Sequence, residues 1–236
     1  MQLFFAPELN DQSKNFAFDK EESKHIVKVL RKKEGDILHI TNGKGLFFSA
    51  EISMALEKKC EVTILSIDQQ KAKDFYIHLA VAPTKMNERY EWFLEKATEI
   101  GIDEITPIFC EHSERKVIKN ERFEKIILSA VKQSNQSFVP VLNEGILLKD
   151  FLNQTHTGEL FIAHCDDLHK TPLKNSFSPK QKYTLLIEPE GDFSPKEIAL
   201  ALEKGFKPVT LGATRLRTET AAIVACHSFV YGNEEL

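Results

Sequence analysis

Arg215, Arg217, Thr218, Glu219 and Thr220 crowd into one short stretch, Leu211 to Ala221, just before an almost wholly apolar run that ends near Tyr231. Helix physics accounts for part of this. Thr218 suits an N-cap, and Glu219 and Thr220 suit a first turn. The two arginines are left over, because cations are disfavoured at a helix N-terminus. Arginine there points to an anionic partner: a carboxylate, a phosphate, or charge that develops on a substrate. A second stretch runs from Glu188 through Pro189, Glu190, Gly191 and Asp192 to Glu197. Ser194, Pro195 and Glu197 form a capping box with proline at the first helical position. Capping does not explain Pro-Glu-Gly upstream, where a glycine between strand and helix lets a ligand approach the backbone. A third stretch, Ala163-His164-Cys165-Asp166-Asp167 with His169 close behind, carries metal-capable side chains. It contains neither HExxH nor a helical i,i+4 pair, so no metal is expected.

Each stretch follows a predicted strand, where an open α/β sheet places its ligands. Strands are predicted at Phe75–Ala82, Glu104–Phe109, Leu160–His164, Tyr183–Glu188 and Pro208–Leu211. Helices are predicted at Glu88–Ile100, Glu121–Ser137, Pro195–Lys204 and Thr218–Tyr231. This alternation argues for a mostly parallel sheet. The final helix offers little polar surface at any angle, which suits either a wholly interior helix or, the favoured reading, a subunit interface. Residues 1 to about 70 differ. A helical pattern over Asp19–Lys33 is followed by strands at Ile37–Thr41, Gly45–Met54 and Cys60–Ile67, with an Asn42-Gly43 turn between the first two. Asp68–Asp74 is polar and reads as a linker. The expected division is thus 1–70, small and mostly β, and 71–236, α/β.

The chain has 236 residues, a net charge of −4, 42% hydrophobic residues and 28% charged residues, which excludes disordered, collagen-like and coiled-coil classes. Slight acidity argues against coating nucleic acid by bulk charge. Yet Lys24, Lys28, Arg31, Lys32 and Lys33 lie in a window that contains no acid. No apolar run approaches 18 residues, and the N-terminus lacks the pattern of a signal peptide. Cys60, Cys110, Cys165 and Cys226 are too widely spaced for a zinc knuckle or a disulfide framework, so a reduced, cytoplasmic protein is expected. Walker, GxSxG and GxGxxG motifs are absent. After the first α/β strand the chain reads Pro83-Thr84-Lys85-Met86-Asn87-Glu88-Arg89, which disfavours a Rossmann-type methyltransferase or dehydrogenase.

The pair LLIEPEGDFSPKEI and LGATRLRTETA resembles the C-terminal signature of the 16S ribosomal RNA uridine-N3 methyltransferases of the SPOUT superfamily. APTKMNERYEWFLEKATEIGIDEITPI, AVKQSNQSFVP and HIVKVLRKKEGD fit the same family, so the resemblance spans nearly the whole chain. There are departures. The family's Gly-Pro-Glu-Gly-Gly appears here as Glu188-Pro189-Glu190-Gly191-Asp192, and its Glu-Gln-Ser as Lys132-Gln133-Ser134.

The resemblance implies a PUA-like β-barrel domain followed by a SPOUT domain with a C-terminal trefoil knot, and a homodimer formed through that domain. It implies S-adenosylmethionine as cofactor, held by Ala163 and His164, by Glu188 and Gly191, and by Leu211, Gly212, Leu216 and Thr218. It implies methyl transfer to N3 of a uridine in 16S ribosomal RNA of the small subunit. Arg217 is expected to face the uracil anion, and Glu219 to accept the proton. N3 lies on the Watson–Crick edge, so the target must be unpaired or flipped. RNA is expected on Lys24, Lys28, Arg31, Lys32 and Lys33, and on Lys85, Arg89, Arg115 and Lys116. Three other readings remain open: a SPOUT enzyme with another RNA target or methylated atom, a non-catalytic RNA-binding assembly factor, and a metal-dependent hydrolase built on the His164–His169 cluster.

Overall fold

A computed structural model of the protein describes residues 2–165 and 169–234. The chain divides into two compact units, Met1–Ala72 with Val131–Val139, and Lys73–Ala130 with Pro140–Leu236. No local pattern marked Val131–Val139 for the first unit. It belongs there through bonds such as Thr41 Oγ1 donating to the Ser137 carbonyl at 3.1 Å.

The first unit holds β1 (Leu3–Phe5), β2 (Asn15–Ala17), α1 (Lys20–Lys24), β3 (Ile37–Thr41), β4 (Leu46–Leu56) and β5 (Lys59–Gln69). Its sheet runs β1-β3-β4-β5-β2. Phe4, Ile26, Leu38, Ile40, Phe48, Ile52 and Val62 form the core. Asn42 makes the predicted turn, its side-chain oxygen accepting from the amides of Lys44 at 2.9 Å and Leu46 at 3.1 Å. The helix expected over Asp19–Lys33 is shorter. Asp19 caps it through Glu22 N at 2.8 Å, and after Lys24 it widens into a π-helical turn, His25–Val29. Arg31 then turns left-handed at φ 55, so Arg31, Lys32 and Lys33 lie beyond the helix. The Asp36 carboxylate stabilises this exit by accepting from Lys33 N at 2.8 Å.

In the chain order of the α/β region come β6 (Tyr76–Val81), α2 (Asn87–Ile100), β7 (Glu104–Phe109), α3 (Asn120–Ser134), β8 (Val141–Leu142), β9 (Ile146–Leu147) and α4 (Leu148–Leu152). Then follow β10 (Glu159–Ala163), β11 (Thr171–Pro172), β12 (Lys182–Ile187), α5 (Pro195–Glu203), β13 (Lys207–Thr210) and α6 (Thr218–Asn233). The sheet order is β11-β13-β10-β12-β6-β7-β8, and every pairing in it is parallel. Helix α2 stops at left-handed Gly101. Helix α3 stops three residues earlier than predicted, because Asn135 adopts φ 54 and Gln136 N bonds back to the Val131 carbonyl. Asparagine tolerates that left-handed closing position.

Strand order decides where the three chemistry-bearing stretches meet. Strand β10 lies between β12 and β13, and Ala163 is in register with both Ile187 and Val209. Three loops far apart in sequence therefore leave one sheet edge side by side. Helix α6 anchors the region from behind. Phe229 is fully buried and stacks on Tyr183 of β12, with ring centroids 4.5 Å apart and planes 7° from parallel. Burying such a pair contributes several kcal/mol through area removed from water, and stacking adds about 1 kcal/mol.

Candidate functional site

The three loops enclose a cavity of about 650 Å³, a size that suits a nucleoside-derived ligand. Ala163, Ile187, Val209, Leu211, Leu216 and Ala221 give it apolar walls, and residues of all three loops line it. Seven of the eight residues expected to hold the cofactor are there: Ala163, His164, Glu188, Leu211, Gly212, Leu216 and Thr218. Gly212 sits at φ 142, with open space where a Cβ would stand; its N–H donates to Thr210 Oγ1 at 3.3 Å and its carbonyl accepts from the same hydroxyl at 2.8 Å, so the turn is held from within while the missing side chain leaves room for a ligand. Gly191 is the exception. It lies outside the lining, its carbonyl 3.0 Å from His112 Nδ1, and a Cβ there would press on His112. It serves the loop's packing rather than the cavity wall. These residues fit S-adenosylmethionine: an apolar slot for a base, room beside the side-chain-free Gly212, and carboxylates for a ligand that carries positive charge.

The second loop is fastened on several sides. Glu190 Oε2 accepts from Lys85 N at 3.0 Å, and its Oε1 accepts from Arg89 Nη1 at 3.2 Å. Arg115 Nη2 donates to the Lys85 carbonyl at 2.9 Å. Arg89 and Arg115, expected to meet RNA, are thus engaged by protein oxygens. Lys85 keeps an exposed ammonium 3.5 Å from Glu114, and Lys116 is also exposed. In the first unit Lys24, Lys28, Arg31 and Lys33 are exposed and Lys32 is half-buried.

Thr218 is not the N-cap of α6. Arg217 occupies that position in extended conformation, without a capping side-chain bond, and Thr218 Oγ1 instead donates to the Glu188 carbonyl at 3.0 Å. The threonine is drawn off because tying the helix to the second loop satisfies its buried hydroxyl. Arg215 finds a carboxylate partner in Asp192. Arg217 lines the cavity, is exposed, and has no ion-pair partner among the described residues. Glu219, expected to accept a proton from the substrate, is buried and lies outside the lining. Its Oε1 is 3.9 Å from Arg89 Nε, and its Oε2 has no hydrogen-bond partner among the described residues. The first turn of α6 points that side chain towards α2, so it faces Arg89 and not the cavity.

Glu188 Oε2 accepts from Cys165 N at 3.1 Å. Burial raises the Glu188 carboxyl above its usual range, and Asp192 adds to this, against the bonds from Cys165 and the charge of Arg215. Burial, together with Glu188, pushes the Cys165 thiol up to about 11. The metal-capable atoms of Cys165, Glu188 and Asp192 lie within 4.8 Å of one another, a grouping the sequence did not suggest. A protonated thiol and an arginine already on Asp192 make it a poor cation site. Of the earlier His164–His169 cluster, Asp166 and Asp167 lie outside the described residues.

Comparison with known proteins fits this geometry. An RNA methyltransferase domain model matches residues 71–230, and an RNA methyltransferase PUA domain model matches residues 18–65. The Buchnera aphidicola protein named ribosomal RNA small subunit methyltransferase E is 34% identical over 89% of this chain and 85% of its own. A probable rRNA-methyltransferase from Porphyromonas gingivalis superposes with TM-score 0.88 at 43% identity, over 96% of this chain and 95% of that one. A Legionella pneumophila methyltransferase solved with bound S-adenosylmethionine gives TM-score 0.88 at 29% identity, over 99% and 98% of the two chains.

Proposed function

We propose, from the premise that this chain belongs to the RNA methyltransferase family, that it methylates N3 of a uridine in 16S ribosomal RNA of the small subunit. It is an S-adenosylmethionine-dependent ribosomal RNA methyltransferase of the SPOUT class, with a PUA-like domain preceding the α/β domain. The observation that carries the reading is the cavity at the joined ends of β10, β12 and β13, with Arg217 on its wall and without an ion-pair partner among the described residues.

S-adenosylmethionine supplies an electrophilic methyl group on a sulfonium. The chain has to bind that cofactor, orient the base and stabilise charge. Ala163, Leu211, Gly212 and Leu216, which line the cavity, would hold it, with Glu188 and Thr218 beside them. Uridine N3 becomes nucleophilic when its proton passes to solvent water, and negative charge then spreads over the uracil. Arg217, which has no ion-pair partner among the described residues, is placed to meet that charge. Glu219 serves by holding Arg89, and through it Glu190, at the second loop. The exposed cations Lys24, Lys28, Arg31 and Lys33 bind phosphate, with Lys85 and Lys116 as a second group.

The reading includes a cytoplasmic homodimer formed through the C-terminal domain. Tyr231 of α6 and Trp92 of α2 are large apolar side chains left exposed, which a second copy would cover, and sedimentation of the full chain tests it. Among the described residues no helix is long and apolar enough to cross a membrane.

The activity is tested by incubating the full chain with labelled S-adenosylmethionine and small subunits, or free small-subunit RNA, that lack the modification. Label on uridine N3 is the expected result. Label on another atom or another RNA would redirect the assignment, and binding of subunits without binding of cofactor would make this a non-catalytic assembly factor.

A further inference from the structure

Asp192 is a non-glycine residue with a left-handed backbone, at φ 60, in a loop that lines the cofactor cavity. Non-glycine residues are uncommon there, and an observed outlier of this kind invites a functional explanation. The backbone is held in place. Asp192 N donates to the Pro189 carbonyl at 3.1 Å, and the Asp192 carbonyl lies 3.2 Å from His112 Nδ1. A glycine would make the same turn without strain, so the side chain is what the strained backbone retains. That side chain forms an ion pair with Arg215, which belongs to the third loop and lies two residues before Arg217.

We propose that Asp192 is a positioning residue which, through Arg215, fastens the third loop across the cavity and so slows release of the bound cofactor. This rests on the assignment of S-adenosylmethionine to the cavity. The pair spans the second and third loops at the mouth. The neighbouring tie from Thr218 to the Glu188 carbonyl joins the same loops at the base of α6. With both in place, opening the mouth requires parting two charges. Among the described residues Arg217 has no such partner.

The test is a double-mutant cycle on the full chain with Asp192→Asn, Arg215→Gln and both together. Asparagine tolerates the same left-handed backbone, so the change removes charge without altering the turn. The dissociation rate of S-adenosylmethionine is measured by stopped flow at low and high salt. Both partners are partly exposed, so each single change should speed release about two- to fivefold. The double change should do no more than one single, and the acceleration of release by salt should shrink from that of the unmodified chain by the same amount in all three variants. Additive effects, unchanged release, or salt dependence undiminished by Asp192→Asn would overturn the proposal. Hydrogen exchange at residues 212–218 is followed without cofactor in the same four chains, where the singles should exchange faster. If the unmodified chain bound no S-adenosylmethionine, the proposed activity would fail. The exchange cycle would still decide separately whether the pair fastens the loop.

Discussion

His78 lies inside the sheet on β6 with its side chain 11% exposed, 2.7 Å from Thr106 Oγ1 through Nε2 and 3.7 Å from Glu104. Burial lowers its pKa from 6.5 to about 4; Glu104 opposes the shift, and His156 adds to it. As pH falls through 6.5 the unfolded chain takes up a proton that the folded chain refuses until about pH 4. Stability therefore drops across that window. The shift of about 2.5 units, at about 1.4 kcal/mol per unit, gives roughly 3 kcal/mol lost between pH 7 and pH 4 through this one side chain. Such a loss is a large fraction of the total for a domain of ordinary stability. Replacing His78 by Gln keeps a hydrogen-bonding group beside Thr106 and removes the titration. Urea unfolding at pH 7 and pH 4.5 measures the effect. The difference between the two pH values should be about 2 kcal/mol smaller in the variant, whatever its stability at pH 7. An unchanged difference would refute the argument and place the charge cost elsewhere.

Arg217→Ala should lower kcat about 100-fold or more while the affinity for S-adenosylmethionine changes less than about threefold, as loss of a donor to developing charge does; single-turnover methylation and cofactor titration separate the two. Lys28→Glu with Lys32→Glu should weaken binding to small-subunit RNA and reduce the slope of log affinity against log salt by about 1.5. An unchanged slope would remove the first unit's cations from the RNA interface. Phe229→Ala, which empties the space beside Tyr183, Phe161 and Phe177, should cost about 3–5 kcal/mol in unfolding measured at neutral pH.

Local spacing located the elements that carry strong end signals. Ile37–Thr41 is flanked by Gly35 and the Asn42-Gly43 turn, and Glu104–Phe109 follows Gly101, and both strands lie where expected. The short elements gave no periodicity to read. Leu3–Phe5, Asn15–Ala17 and Leu148–Leu152 are each under two turns of helix or a full strand, and tertiary packing alone stabilises them. Helices were overextended where the apolar stripe outlasted the helix. The helix expected over Glu121–Ser137 ends at Ser134 because left-handed Asn135 turns the chain into the first unit, where the Val139 side chain would lie 2.7 Å from a Cβ on Gly43. No local rule reports a partner nearly a hundred residues away.

The site was legible as three loops and not as one cavity, since their meeting depends on β10 lying between β12 and β13. The charges were legible as residue types and not as pairs. Two arginines before a helix called for anions, and the structure answers them differently. Arg215 takes Asp192, an acid where the resembled family has glycine. Arg217 takes nothing among the described residues, although as N-cap of α6 it bears a cation at the positive end of the helix dipole, at a cost of about 0.3–1 kcal/mol. Arg89, in the same region, lies between Glu190 and Glu219. On the proposed function, this cation at an unfavourable helix end, beside Arg215 and Arg89 that are each matched by an acid, meets charge that arrives with the substrate. A uracil losing its N3 proton brings that charge at the moment of transfer, which is when a fixed guanidinium lowers the barrier most.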